Sequence, residues 1–512
     1  MAATAKNSTI TDTAMPATAT TAPCSHLTTE ASATAMKNGV RPVTKSTAAP
    51  ATNASAACPA FSTETFMTDA APAWLADELR ALGTPLITLR RHVHRLPELG
   101  WTEYGTAAFI AEKLHTWGWT LTLGEDALCR DARMGLPDAA TLRQAAARAA
   151  GEGAAQRWLD IFADGMTAIR AELHLGPASA TAPVLVVRVD MDALNVRECR
   201  EDSHLPAREG FLSAHAGIMH ACGHDGHMSI ALGLARLLAR HAARFPQPLT
   251  VRLLFQPAEE GVRGAAAMLK AGALDGADFL LGLHIGLNAT RTGQLVCGAD
   301  EFLATTKLNA FFEGRAAHAA NAPQEGRNAL LAASSAALGL HAISRHGDGP
   351  TRVCAGVLHA GSSRNSIPEY AALELEVRAA SREVHHWVED EARRVLAAAA
   401  QLWQCEHRVL TVGTAPAASS DARLRQRVVK CAAHLPFFQE ILPACGLGAS
   451  EDFSVLLEEM RTRGAQGAYL LLGSTLAGGH HTPRFDFDER ILLPAVDLLT
   501  RLCLDIAAAP EA

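Results

Sequence analysis

The chain lacks any excess of positive charge. Its 512 residues carry a formal net charge of −7, which leaves no basic stripe to track a nucleic-acid backbone and excludes nucleic acid as the partner. It also lacks a cysteine framework. The 11 cysteines are an odd number without regular spacing, and Cys354, Cys431 and Cys503 sit inside apolar or helical patterns, as expected of a reduced, cytoplasmic protein. No apolar run approaches the length that crosses a bilayer, so no membrane partner is expected. After Met1-Ala2-Ala3-Thr4-Ala5-Lys6-Asn7 there is only alternating Thr and Ala with few Arg, which argues against a signal or transit peptide. Small molecules remain as the partner class.

What the chain has in quantity is apolar side chain, 48% of the total. That is enough for a large core, and the length implies more than one domain. Residues 1–70 stand apart as an Ala- and Thr-rich stretch with few charges and no helical period, which reads as disordered.

The densest chemistry lies in Met219-His220-Ala221-Cys222-Gly223-His224-Asp225-Gly226-His227, where a thiol, three imidazoles and a carboxylate share nine residues. Thiolate and imidazole are metal donors, and the glycines let the backbone bend so that nearby side chains converge. Phe255-Gln256-Pro257-Ala258-Glu259-Glu260, Leu283-His284 and His480-His481-Thr482-Pro483 follow downstream, where strands are expected to end.

Trp74, Leu75, Leu79, Leu82, Ile87 and Leu89 predict an amphipathic helix from about residue 71, a second runs over 107–117, and 126–162 reads as a helical surface insertion. Apolar runs over 183–189, 249–255 and 279–283 predict buried strands, which deliver Asp190 and Asp192, the paired glutamates and His284 at their C-terminal ends. Helical spacing over 228–245 places the Cys222 cluster in the loop at a helix N-terminus. Such alternation predicts an α/β fold with a mostly parallel sheet, helices on both faces and the functional loops at one edge.

Residues 305–411 change character. They read as strand 307–312, helix 327–344, strands 352–358 and 371–377, helix 382–402 and strand 407–412. That βαββαβ order predicts an inserted ferredoxin-like lid or dimerisation domain. Residues 71–304 and 412–512, with a strand at 468–472 and a helix at 490–504, then form the catalytic domain.

From about Trp74 onward the chain resembles the M20 metallopeptidase and amidohydrolase family. The likeness rests on Asp190-Met191-Asp192-Ala193-Leu194, on His220 to His227, on Phe255-Gln256-Pro257-Ala258-Glu259-Glu260-Gly261, on Gly448-Ala449-Ser450-Glu451-Asp452-Phe453 and on His481-Thr482-Pro483. A finer likeness is to members that release glutamate from an aromatic acyl group. It lies in Arg133-Met134-Gly135-Leu136-Pro137-Asp138, in Val296-Cys297-Gly298-Ala299-Asp300 and in Gly478-Gly479-His480-His481.

The resemblance implies a metallo-amidohydrolase with two divalent ions per chain, Mn2+ or Zn2+, held by Cys222, His224, Glu260, His284 and His481. His481 is preferred to His480 because the family places its terminal ligand before a small residue and proline. Glu259 would be the general base and Asp192 would orient a ligand histidine, with His220 and His227 supporting the ligands. In the inserted domain, His318, Asn365 and Arg378 would reach the substrate, often across a dimer interface, with Arg378 gripping a carboxylate. The expected substrate is an N-acyl amino acid, with aroyl-glutamates ahead of hippurate, auxin conjugates or acetylated amino acids. The expected assembly is a homodimer or a heterodimer with a related B subunit. A non-catalytic partner chain would have lost ligands, whereas here every ligand type and the base are present.

Overall fold

The computed structural model describes residues 72–509; the expectation of disorder over 1–70 lies outside them. Four strands, Leu249–Gln256, Val184–Asp190, Phe279–Ile285 and Gln466–Leu472, lie side by side in parallel. Nearly all their residues are buried, because covered faces are what let parallel strands read as continuous apolar runs. The pleat sends alternate side chains to opposite cores. Leu185, Val187 and Val189 pack with the helices Ala73–Arg95, His224–His241 and Leu492–Ala508, while Val186 packs with Phe453, Leu456 and Met460 of helix Phe453–Thr462.

Antiparallel pairings flank this parallel centre. Ile169–Leu175 pairs antiparallel with Leu249–Gln256 and with the edge strand Thr120–Leu123. On the other side Gln294–Val296 runs antiparallel to Gln466–Leu472, and Glu440–Leu442 closes the edge in parallel. No continuous apolar run marks these flanks: Ile169–Leu175 alternates buried with partly exposed positions, and two of the others are three residues long.

The first helix runs past its apolar stripe to Arg95, so Arg90 and His94 enter the interior. Within 126–162 lie two helices, Ala139–Gly151 and Gln156–Ile161; Asp138 caps the former by accepting the Thr141 N–H.

Residues 304–415 build a second, fully antiparallel sheet in the order Glu406–Ala415, Ala304–Glu313, Tyr370–Ala379, Thr351–Ala360. Helices Ala329–His341 and Arg382–Leu402 pack against it around a separate core that includes Leu308, Phe312, Leu373, Val388 and Leu396. Among the described residues no helix is long and apolar enough to cross a membrane.

Candidate metal centre

The parallel strands end at a common edge, and the chemistry-bearing residues lie there. His284 is the penultimate residue of its strand, Glu259 and Glu260 follow Leu249–Gln256 by a short turn, and Asp192 follows Val184–Asp190. Gly223 adopts φ 98°, a left-handed conformation that glycine tolerates, and this turns the chain from Cys222 into helix His224–His241. His481 docks from the far C-terminal segment, its N–H donating to the Ala221 carbonyl at 2.8 Å.

The donor atoms of Cys222, His224 and His284 lie within 4.8 Å of one another, as do those of Cys222, Glu260 and His481, and those of His224, Glu259 and Glu260. Cys222 Sγ is 3.4 Å from His284 Nε2, and His481 Nε2 is 3.4 Å from Glu260 Oε1. Cys222, His224 and His284 are buried, whereas the His481 side chain is 53% exposed and leaves the centre open on that side.

Hydrogen bonds aim the imidazoles. His224 Nδ1 donates to the Asp192 carbonyl at 2.7 Å and His284 Nδ1 to the Ile285 carbonyl at 2.8 Å, which leaves each Nε2 facing the centre. His227 is committed at both nitrogens, Nδ1 to Asp190 Oδ1 at 2.7 Å and Nε2 to the Ile285 N–H at 2.9 Å. His480 Nε2 bonds the Ile285 carbonyl at 3.1 Å. His220 is buried with neither ring nitrogen partnered in the structure. Asp192 meets His224 through its carbonyl, with a carboxylate oxygen 3.6 Å from His224 Nδ1, and its carboxylate also accepts the Glu259 and Glu260 N–H groups at 3.0 Å each.

Buried Arg188 anchors the acidic side. It donates to Gln256 Oε1 and Asp190 Oδ2 at 2.8 Å and to Asp452 Oδ1 at 2.9 Å, and lies 3.1 Å from Glu451 Oε1. Tyr469 donates its hydroxyl to Glu451 Oε2 at 2.9 Å. Glu259, Glu451 and Asp452 form a further buried acidic group. No role for Arg188, Glu451 or Asp452 is legible from the chain alone. The available signal is a charge inside the apolar strand Val184–Asp190, because a buried arginine needs carboxylate partners.

Electrostatics follow from this crowding. Burial, then Glu451 and Glu260, push the Glu259 carboxyl well above the ordinary carboxylate range. Burial, then the Glu260 and Glu259 carboxylates, push the Cys222 thiol well up. For His224 burial works downward, but Asp190 and Asp192 outweigh it and raise the imidazole to about 10. Burial together with His227 and His480 holds His284 well down.

These residues fit a divalent cation. His224 Nε2 and Glu260 Oε1 are buried without a hydrogen-bond partner, a costly arrangement that a coordinated ion would satisfy. The donors are a thiol, imidazoles and a carboxylate, and the surrounding excess of carboxylates favours positive charge. The turn also holds Ala258 and Val262 at φ 51° and 57°. For non-glycine residues such strain costs on the order of 1–3 kcal/mol each and persists where surrounding contacts impose it.

The inserted-domain candidates are dispersed. Arg378 forks Glu376, Nε to Oε1 at 2.9 Å and Nη2 to Oε2 at 3.0 Å, and reaches Ser450 Oγ, beside Glu451, at 3.5 Å. His318 and Asn365 lie together at the other end of the second sheet: His318 bridges Ser366, and the Asn365 carbonyl accepts the Ala319 N–H at 3.0 Å. Both are exposed. The strand from Tyr370 to Arg378 alone spans about 26 Å at the usual rise per residue, so one chain does not bring the three together.

A mixed α/β fold with an open cluster of metal donors beside a buried glutamate defines a metal-dependent hydrolase. Residues 186–505 match Peptidase family M20/M25/M40, and the chain belongs to that family as a metallo-amidohydrolase. It is 41% identical over 432 residues to the indole-3-acetyl-aspartic acid hydrolase of Enterobacter agglomerans, covering 84% of this chain and 98% of that one. It is also 41% identical over 431 residues to the A subunit of p-aminobenzoyl-glutamate hydrolase of Escherichia coli (strain K12), covering 83% and 97%. The crystal structure of an aminobenzoyl-glutamate utilization protein from Klebsiella pneumoniae superposes with a TM-score of 0.72 at 36% identity, over 84% of this chain and 98% of that one.

Proposed function

We propose that the chain hydrolyses the amide bond of aromatic acyl conjugates of acidic amino acids, with p-aminobenzoyl-glutamate foremost, and releases glutamate. One observation carries the reading: two relatives at 41% identity are named for p-aminobenzoyl-glutamate and indole-3-acetyl-aspartate, and each name joins an aromatic acyl group to an acidic amino acid.

Cys222, His224, Glu260, His284 and His481 would hold two divalent ions. Thiolate and imidazole suit Zn2+, and the carboxylate-rich surroundings suit Mn2+. Ions bound there supply Lewis-acid polarisation of an amide carbonyl and lower the pKa of water. Glu259, buried beside the proposed ligands, takes the proton from the attacking water and passes it to the departing nitrogen. Asp192 positions Glu259 through the backbone. Arg378 would exchange Glu376 for a substrate carboxylate, which a planar guanidinium grips with two parallel bonds.

Residues 71–304 and 412–512 would form the catalytic domain, with the insertion at 126–162, and 305–411 a ferredoxin-like lid and dimerisation domain. The strand order of the second sheet and its separate core support that division. The distance of His318 and Asn365 from Arg378 supports a dimer in which they serve the neighbouring chain's site. That dimer is a homodimer or a heterodimer with a related B subunit; the relatives whose names make them A subunits support the latter. Cys222, Cys297, Cys431 and Cys503 are buried free thiols, which suits a reducing cytoplasm.

The test is hydrolysis by protein reconstituted with Mn2+ or Zn2+, offered p-aminobenzoyl-glutamate, indole-3-acetyl-aspartate, hippurate and N-acetyl amino acids. The highest kcat/KM is expected for the first. Preference for the acetylated or glycine conjugates would overturn the reading in favour of a general N-acyl amino acid hydrolase.

A further inference from the structure

The turn carrying Glu259 and Glu260 is tied to the helical insertion by one side chain. Arg263 donates from Nε to the Glu260 carbonyl at 2.9 Å and from Nη1 to the Gly135 carbonyl at 3.0 Å. Among the described residues it has no carboxylate at ion-pair distance, so its fork serves main-chain carbonyls alone. Gly135 has φ 57°, and a Cβ there would come within 2.9 Å of Arg263 Cδ and 2.8 Å of the Val412 carbonyl. Its neighbour Met134 is held by Trp101, whose indole N–H donates to the Met134 carbonyl at 2.8 Å. The second sheet closes the arrangement, with the Thr414 N–H donating to the Val262 carbonyl at 3.1 Å.

We propose that Arg263 is a positioning residue for the metal centre, and that through it segment 133–137 of the insertion becomes part of the active site. The inference rests on the assignment of Glu260 as a ligand and Glu259 as the base. Ala258 and Val262 sit in the left-handed region, so the turn does not hold its shape by local preference. Asp192 fixes the N–H groups of Glu259 and Glu260, and Arg263 fixes the Glu260 carbonyl. The backbone of Glu260 is thereby pinned on both sides, which sets the direction in which its carboxylate leaves the chain. A lysine would meet one carbonyl at a time; the planar guanidinium joins both.

The experiment is a calorimetric titration of chelated, full-length protein with Mn2+, paired with kcat and KM on p-aminobenzoyl-glutamate. Arg263→Ala is expected to weaken Mn2+ binding and lower kcat by about 10–100-fold, the usual cost of losing a partner behind a metal ligand, with KM little changed. Arg263→Lys should fall between the two, and it carries the test if the alanine variant does not fold. Gly135→Ala should lose part of the Mn2+ affinity with Arg263 intact, and the double variant should be no worse than Arg263→Ala, as for residues acting through one contact. Wild-type affinity and kcat in Arg263→Ala, or full additivity in the double variant, would overturn the proposal. Cys222→Ser in the same titration separates the two levels. Lost affinity there with wild-type Arg263→Ala overturns only the positioning role, and unchanged affinity in both overturns the metal centre as well.

Discussion

The Asp192 carboxylate accepts the backbone N–H groups of Glu259 and Glu260 at 3.0 Å each, while its carbonyl accepts from His224 Nδ1 at 2.7 Å. One residue therefore sets the direction of the proposed base and of two proposed ligands. In Asp192→Asn one oxygen is replaced by an amide NH2 that faces a backbone donor. Turnover is expected to fall by about 10–100-fold, with weaker retention of metal, because both follow from a displaced supporting contact. Steady-state kinetics with elemental analysis after dialysis checks this; normal turnover with normal metal content would show that the turn holds without Asp192.

Glu259→Gln removes the proposed proton shuttle and keeps the side chain's shape. Metal content is expected to be intact and kcat to fall by about 10²–10⁴-fold or more. Near-normal turnover would assign the proton transfer to another group.

Arg188 is fully buried among Asp190, Glu451 and Asp452. Arg188→Met leaves those carboxylates without their cation, and removing one partner of a buried pair typically costs about 3–5 kcal/mol. Urea unfolding of the metal-free protein measures it. A cost near zero would mean that the carboxylates take up protons instead of repelling one another.

The buried polar group behind Asp225 is expected to contribute to stability in a pH-dependent way. Glu198 accepts from His94 Nε2 at 2.9 Å, His204 Nε2 at 3.3 Å and the Ser213 N–H at 2.6 Å. Burial alone would raise its pKa, but the bonds from His204, His94 and Ser213 bring it from 4.5 down to about 2. The folded value lies below the unfolded one, so the contribution is complete above the unfolded pKa and disappears as pH falls through the folded one. Glu198→Gln should therefore be less stable than wild type near neutrality, with the gap closing on acidification. A gap independent of pH, measured by denaturant unfolding across that range, would contradict the assignment.

The positions of Asp190, Glu259, Glu260 and His284 are legible in the sequence because buried parallel strands leave apolar runs with an abrupt polar end. Ile169–Leu175 is not, since a flanking strand with one partly exposed face mixes Arg, Glu and His into its alternation. The Asp192 and Arg263 contacts are made to main-chain atoms, which leave no trace in a pattern of side chains. Arg188 and Asp452 meet across 264 positions of sequence, and the charge in the strand signals only that some partner exists. His318, Asn365 and Arg378 look alike as candidates along the chain. Only the second sheet shows that the first two lie a strand's length from the third.

The central claim is that Cys222, His224, Glu260, His284 and His481 form a metal centre on which hydrolysis depends. Its most direct test adds Mn2+ stepwise to chelated protein and follows bound metal and amide hydrolysis together, in wild type and in Cys222→Ser. Activity is expected to be absent without metal and to rise until two ions per chain are bound, and the serine variant, which lacks a thiolate donor, should fail to retain at least one ion. Full hydrolysis by the chelated protein, or unchanged stoichiometry and affinity in Cys222→Ser, would contradict the account.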